Sequence, residues 1–187
     1  MVLKSGISES VDIWDKGWPQ TPEELGMLVD AFGDKLVLTA FRRVGNLSDA
    51  ENVVQEVFVR VYTERLKRSK ILHVKPYLYT MVINLCTDLL RKRKRPALSF
   101  DSVSPDEISH NSSNPHEITV AREELFRIEK LLGRLPKAQA EVVRLRVFEE
   151  LRLSEIAEVV GCSLDTVNSR LRYGFRKLRK IVAKGII

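Results

Sequence analysis

An all-α protein made of two small helical domains joined by a flexible linker is the fold class this sequence predicts, and three observations carry it. Apolar residues recur at steps of three and four through most of the chain, without the sustained alternation that a strand requires. From Pro96 to Ala121 the composition shifts to Ser, Asn, Asp and Pro, with no Lys or Arg. On both sides of that stretch the basic residues and the helical periodicity return.

Composition bounds the function. At 187 residues with 44% hydrophobic content, the chain can bury one ordinary core or two small ones. Lys+Arg 31 against Asp+Glu 25 leaves a net charge of +6, which suits a polyanionic partner without identifying one. No apolar run approaches the roughly 20 residues of a membrane span, and the N-terminus lacks a signal peptide's apolar stretch. A cytoplasmic protein without membrane insertion is expected. Cys86 and Cys162 lack partners at metal-ligand spacing and read as two buried thiols, and His73, His110 and His116 are scattered. No cofactor or metal is expected, and without HExxH, GxxxxGK or GxSxG an enzyme has little support.

The first domain is assigned to residues 22–95, after an N-terminal extension over 1–21. Trp14 and Trp18 in that extension either pack back on the domain or stand free. Thr21-Pro22-Glu23-Glu24 has the pattern of a helix start, with a capping hydroxyl, a proline at the first position and acids in the first turn. Residues 22–45 form one or two helices. A second start at Ser48-Asp49 precedes an apolar stripe of Val53, Val54, Val57, Phe58 and Val61, with Gln55, Glu56, Arg60 and Glu64 facing elsewhere. The basic stretch RLKRSKILHVKP then interrupts the pattern, and Pro76 opens another helix. Its core face is Leu78, Met81, Val82, Leu85 and Leu89. Tyr77, Thr80, Asn84, Asp88 and Arg91 share the opposite face and lead into five consecutive bases at 91–95.

The linker covers 96–117, and the second domain 118–187. Ile118, Leu125, Ile128, Leu131, Leu132 and Leu135 mark a helix ending near Gly133, and Pro136 opens another with Val142, Val143, Leu145 and Phe148. In LSEIAEVVGCSLDTVNSRL, Ala157, Gly161 and Val167 have helix-turn-helix spacing: a small residue for close approach, a glycine for a left-handed turn, and an apolar residue buried against the first helix. Ser163 caps the second helix, and Leu164, Val167, Leu171 and Leu178 form its buried seam. Asp165, Thr166, Asn168, Ser169 and Arg172 point outward, followed by Arg176, Lys177, Arg179 and Lys180. Short amides and hydroxyls at the start of a helix fit base edges in a major groove, and cations further on fit phosphates.

Taken together, DAENVVQEVFVRVY with PYLYTMVINLCTDLLRKRKR, and LPKAQAEVVRLRVFEELRLSEIAEVVGCSLDTVNSRLRYGFRKLR after the linker, resemble regions 2 and 4 of the extracytoplasmic-function sigma factors of bacterial RNA polymerase. The resemblance implies a transcription initiation factor whose partners are core RNA polymerase, promoter DNA and an anti-sigma factor. It implies that Asn52, Gln55 and Glu56 contact polymerase. Lys67, Arg68, Lys70, Ile71, Leu72 and Lys75, with Tyr77, Thr80, Asn84, Asp88 and Arg91, would bind and melt the −10 element. Ser163, Asp165, Thr166, Asn168, Ser169, Arg172 and Arg176 would bind the −35 element. Asn52, Tyr77, Thr80, Ile83, Asn168 and Arg152 depart from the family's commoner residues and bear on promoter sequence more than on architecture. The 22 linker residues reach about 70 Å at roughly 3.3 Å each, about two turns of DNA. The alternative is a stand-alone helix-turn-helix regulator whose first domain dimerises.

Overall fold

The computed structural model describes residues 18–64, 71, 73–94 and 127–184; the linker lies outside them. All elements among the described residues are helical: α1 Pro22–Val44, α2 Leu47–Glu64, α3 Val74–Lys94, a helical stretch over 127–132, α4 Lys137–Val147, α5 Leu153–Val160 and α6 Leu164–Ala183. None is long and apolar enough to cross a membrane.

Residues 22–45, for which one helix or two were expected, form a single helix. At its start the Thr21 hydroxyl accepts from Glu24 N at 3.2 Å while the Glu24 carboxylate accepts from Thr21 N at 3.3 Å, a reciprocal capping box. At its end Gly45 adopts φ 74°, a left-handed conformation open to glycine at little cost. Leu28, Phe32, Leu36, Ala40 and Val44 line the buried side of α1 and meet Ala50, Val53, Val54, Val57 and Val61 of α2. Each fully buried side chain of this size contributes about 1.5–3 kcal/mol. Phe58, expected in the α2 stripe, is only half-buried. The α2 cap also lies earlier than Ser48, because Asn46 Oδ1 accepts from Asp49 N at 3.0 Å and the helix begins at Leu47.

Helix α3 begins at Val74, so Pro76 sits inside its first turn, where an amide hydrogen is not needed. Its interior is broader than the sequence pattern indicates. Leu78 and Val82 are buried as expected, but so are Tyr79 and Cys86, while Met81, Leu85 and Leu89 are half-buried. The added burial arises because α5 packs against α3, giving that helix a second covered side. Burial pushes the Tyr79 phenol up from its ordinary pKa and the Cys86 thiol up to about 11. Cys162, the other expected buried thiol, is half-exposed with Arg170 Nη1 at 3.6 Å from its sulfur.

In the second half, Arg144 holds the Glu129 carboxylate through Nε and Nη2, the latter at 2.6 Å, tying the 127–132 stretch to α4. Leu145, Leu151, Ile156 and Val167 fill the core between α4, α5 and α6. Gly174 permits the close approach of α4 and α6: a Cβ there would meet Val143 Cγ2 at 3.0 Å.

Candidate nucleic-acid interface

The helix-turn-helix follows from local chemistry. Helix α5 starts without a capping hydroxyl, since position 152 is arginine, but the Glu155 carboxylate accepts from Arg152 N at 2.6 Å and satisfies one free amide there. It ends at Gly161 with φ 63° and ψ 43°, and Cys162 N returns to the Ala157 carbonyl at 3.1 Å. Ser163 then accepts from Thr166 N at 3.3 Å and starts α6, whose Val167 and Leu171 are buried.

This arrangement leaves Asp165, Asn168, Arg172 and Arg176 exposed at steps of three, four and four, one continuous face. Ser163 is exposed as well, whereas Thr166 and Ser169 are half-buried, and the Thr166 hydroxyl lies 2.9 Å from Ser163 Oγ within the cap. Leu164 does not join the buried seam as expected: it is 47% exposed, although Val167 in the same turn is fully buried. Sequence reasoning missed Tyr173, whose ring lies 5.3 Å from the Arg172 guanidinium and 4.8 Å from that of Arg176. Its position between two arginines, one and three residues away, was the available signal.

On the first domain, Tyr77 and Thr80 are half-buried and Asn84, Asp88 and Arg91 exposed along α3. Thr80 Oγ1 donates to its own helix at the Pro76 carbonyl (2.9 Å), and Asp88 pairs with Arg91 at 3.0 Å in solvent. Ile71, His73, Pro76, Tyr77 and Thr80 line an open pocket of about 340 Å³ together with Glu158 of α5. Lys75, also expected here, forms an ion pair with Glu155 at 3.4 Å. Lys67, Arg68, Lys70 and Leu72 lie outside the described residues. Trp18 does pack back on the domain: it is 4% exposed and meets the Tyr77 ring edge-on at 5.3 Å between centroids.

A third surface lies on α2. Asn52, Gln55 and Glu56 are exposed, Glu56 paired with Arg60 one turn on. Val59 and Tyr62 extend the same side at steps of three and are 60% and 41% exposed, an apolar continuation that the sequence pattern concealed by alternating with the buried stripe.

Residues 28–96 match the family model for sigma-70 region 2, and residues 131–180 match that for sigma-70 region 4. An RNA polymerase sigma-E factor of Streptomyces avermitilis is 31% identical over 147 residues, covering 79% of this chain and 78% of that protein. The chain belongs to the sigma-70 family, in its extracytoplasmic-function group. The ECF RNA polymerase sigma factor SigW of Bacillus subtilis is 29% identical over 160 residues, 82% of this chain and 86% of its own. Among solved structures, CnrH in complex with the cytosolic domain of CnrY shares the fold, with a TM-score of 0.65 at 22% identity over 95% of each chain. RpoE in complex with the anti-sigma factor NepR from Bartonella quintana does so with a TM-score of 0.59 at 17% identity, over 86% of this chain and 98% of that one. In this sigma factor, α2, α3 and most of α1 lie within region 2, and α4 to α6 within region 4 apart from the last residues of α6.

Proposed function

We propose that this extracytoplasmic-function sigma factor binds bacterial core RNA polymerase in the cytoplasm, recognises a promoter through two separated DNA elements and opens the −10 element to start transcription. It acts as an initiation factor and not as an enzyme. The observation that carries the proposal is the pairing, in one chain, of a region 4 helix with an exposed polar-then-basic face and a region 2 helix with an open, aromatic-walled pocket at its start. Asp165, Asn168, Arg172 and Arg176 serve the −35 element. The pocket around Tyr77 and Thr80, with Asn84, Asp88 and Arg91 beyond it, serves an unstacked base and its strand at −10. Asn52, Gln55 and Glu56, extended by Val59 and Tyr62, form the polymerase face.

Domain limits at 22–95 and 118–187, joined through 96–117, belong to the same proposal. So does an anti-sigma partner, supported by the likeness of fold to RpoE in its complex with NepR. The test is run-off transcription by bacterial core polymerase on a promoter library, with and without the chain. Transcripts that depend on the chain and share two spaced boxes are expected. A stand-alone regulator would instead shift short duplexes without polymerase and add no starts.

A further inference from the structure

The tyrosine that walls the −10 pocket is held by a residue from outside the stretch that matches region 2. Tyr77 stands in the first turn of α3 and lines the pocket with Ile71, His73, Pro76 and Thr80. A tyrosine on a helix has two main χ1 rotamers and a rare third, so the helix by itself does not fix where the ring points. Trp18 supplies what the helix lacks. Its indole meets the Tyr77 ring at 5.3 Å between centroids and an interplanar angle of 84°, the edge-to-face geometry that aromatic quadrupoles favour. Trp18 precedes residues 28–96, so the match to region 2 does not account for this contact.

The short segment that carries Trp18 is fastened at several points. Pro19, also buried, fixes its own φ and confines Trp18 to extended conformations. Gln20 Nε2 donates to the Trp18 carbonyl at 2.9 Å, and Gln20 N donates to the Glu24 carboxylate at 2.7 Å. That carboxylate is the one that closes the capping box of α1 with Thr21, so Trp18 is tethered to the start of a helix in the core. The indole Nε1 is buried without a hydrogen-bond partner among the described residues, a cost that only the packing of its rings can offset.

We propose that Trp18 is a positioning residue for promoter opening, holding the Tyr77 ring in the rotamer that receives an unstacked −10 base. This inference rests on the assignment of that pocket to the −10 element. A ring released from Trp18 would occupy the working rotamer about half to a third of the time, and capture of the base would fall by the same factor.

The test uses the full chain with Trp18→Leu, which keeps an apolar side chain but no ring, and Trp18→Phe, which keeps a ring edge and removes the unpaired donor. Each is assembled with core polymerase on a duplex bearing the two boxes returned by the run-off library, with 2-aminopurine in the −10 box. Trp18→Leu is expected to lower opening by about two- to threefold, with polymerase capture and helical circular dichroism unchanged, and Trp18→Phe to restore it. In a Tyr77→Ala background Trp18→Leu should cause no further loss, an outcome that general loosening of the domain would not give. Labelling with 3-fluorotyrosine follows the ring without DNA or polymerase, since the chain has 4 tyrosines. Trp18→Leu should move the fluorine signal of Tyr77, identified through Tyr77→Phe. Should Trp18→Leu fail to fold, Gln20→Ala on the surface loosens the same segment and should lower opening in the same direction. Normal opening by a folded variant, additive losses with Tyr77→Ala, or an unmoved fluorine signal each overturns the proposal. Normal opening by Tyr77→Ala, with the fluorine signal moved by Trp18→Leu, instead overturns the −10 assignment of the pocket and leaves Trp18 a packing residue.

Discussion

At the scale of single residues, exposure separates the two tasks of α6. Asn168 is exposed in its second turn and offers an amide, whereas Arg179 is exposed near its end and offers only charge. Asn168→Ala is therefore expected to relax base preference at one −35 position by about 1–3 kcal/mol, and Arg179→Ala to weaken binding to all sequences and reduce the salt slope by about one. Selection of bound sequences from a duplex pool checks the first and a salt titration the second; identical sequence profiles for Asn168→Ala and wild type would show the assignment wrong. Glu149 carries a pH dependence. Burial holds its carboxyl above the ordinary pKa of 4.5, against the opposing pull of Thr39, Arg42 and Arg43, and Tyr79 stands within its field. The Thr39 hydroxyl lies within reach of both the Glu149 carboxylate and the Lys35 carbonyl and has one proton to share between them. A carboxyl raised in the folded chain adds stability that is complete below its unfolded-state value and is lost as pH rises through the folded-state value. The contact between the two halves should thus strengthen as pH falls toward the ordinary carboxylate value, and Glu149→Gln should remove that change; thermal unfolding at several pH values checks it.

At the scale of elements, one close contact sets how α6 lies on α4. The hydrogen of Gly174 faces Val143, and Ala in its place gains about 1 kcal/mol of helix propensity while pressing Val143 outward by a few tenths of an ångström. Gly174→Ala should be close to neutral, whereas Gly174→Leu should cost about 1–3 kcal/mol by forcing α4 and α6 apart. Thermal unfolding of the two variants separates these outcomes. Helix α2 poses the opposite case, in which side chains are dispensable for folding. Gln55 and Glu56 lie off its buried stripe, and the exposed Glu56–Arg60 pair is worth at most a few tenths of a kcal/mol. Replacing both by Ala should leave the melting temperature within about 2 °C and reduce capture of core polymerase; unchanged capture by a folded variant would exclude this face.

At the scale of the whole molecule, promoter opening links the pocket to the rest of region 2. Extruding a base costs a few kcal/mol, which stacking on an aromatic ring can offset by about 1–3 kcal/mol. Tyr77 is the aromatic wall, steadied from behind by the edge of Trp18. Asn84→Ala with Ile71→Ser and Leu72→Ser is expected to keep polymerase capture and lose opening at −10. A fluorescent base analogue in that element reports the loss, and a template with a mismatched bubble should recover part of the transcript. No recovery, or normal opening, would move the melting site elsewhere.

Most of the helices and the helix-turn-helix were legible in the sequence because they follow from interactions within a few residues: Thr21 with Glu24, the glycine turn at Gly161, Ser163 with Thr166. The exposed side of α2 and the face of α6 were legible for the same reason, since helical periodicity alone sorts Gln55 from Val57 and Asn168 from Val167. What local order cannot state is which second surface covers a helix. Tyr79 and Cys86 are core on a helix that packs against α5 as well as against α1 and α2, and Leu164 is exposed although Val167 in the same turn is buried. Likewise Arg42, Glu149 and Thr39 look like ordinary polar positions until residues 107 and 110 apart in sequence meet. Those contacts arise from the packing of two domains, and sequence periodicity carries no term for a partner that distant.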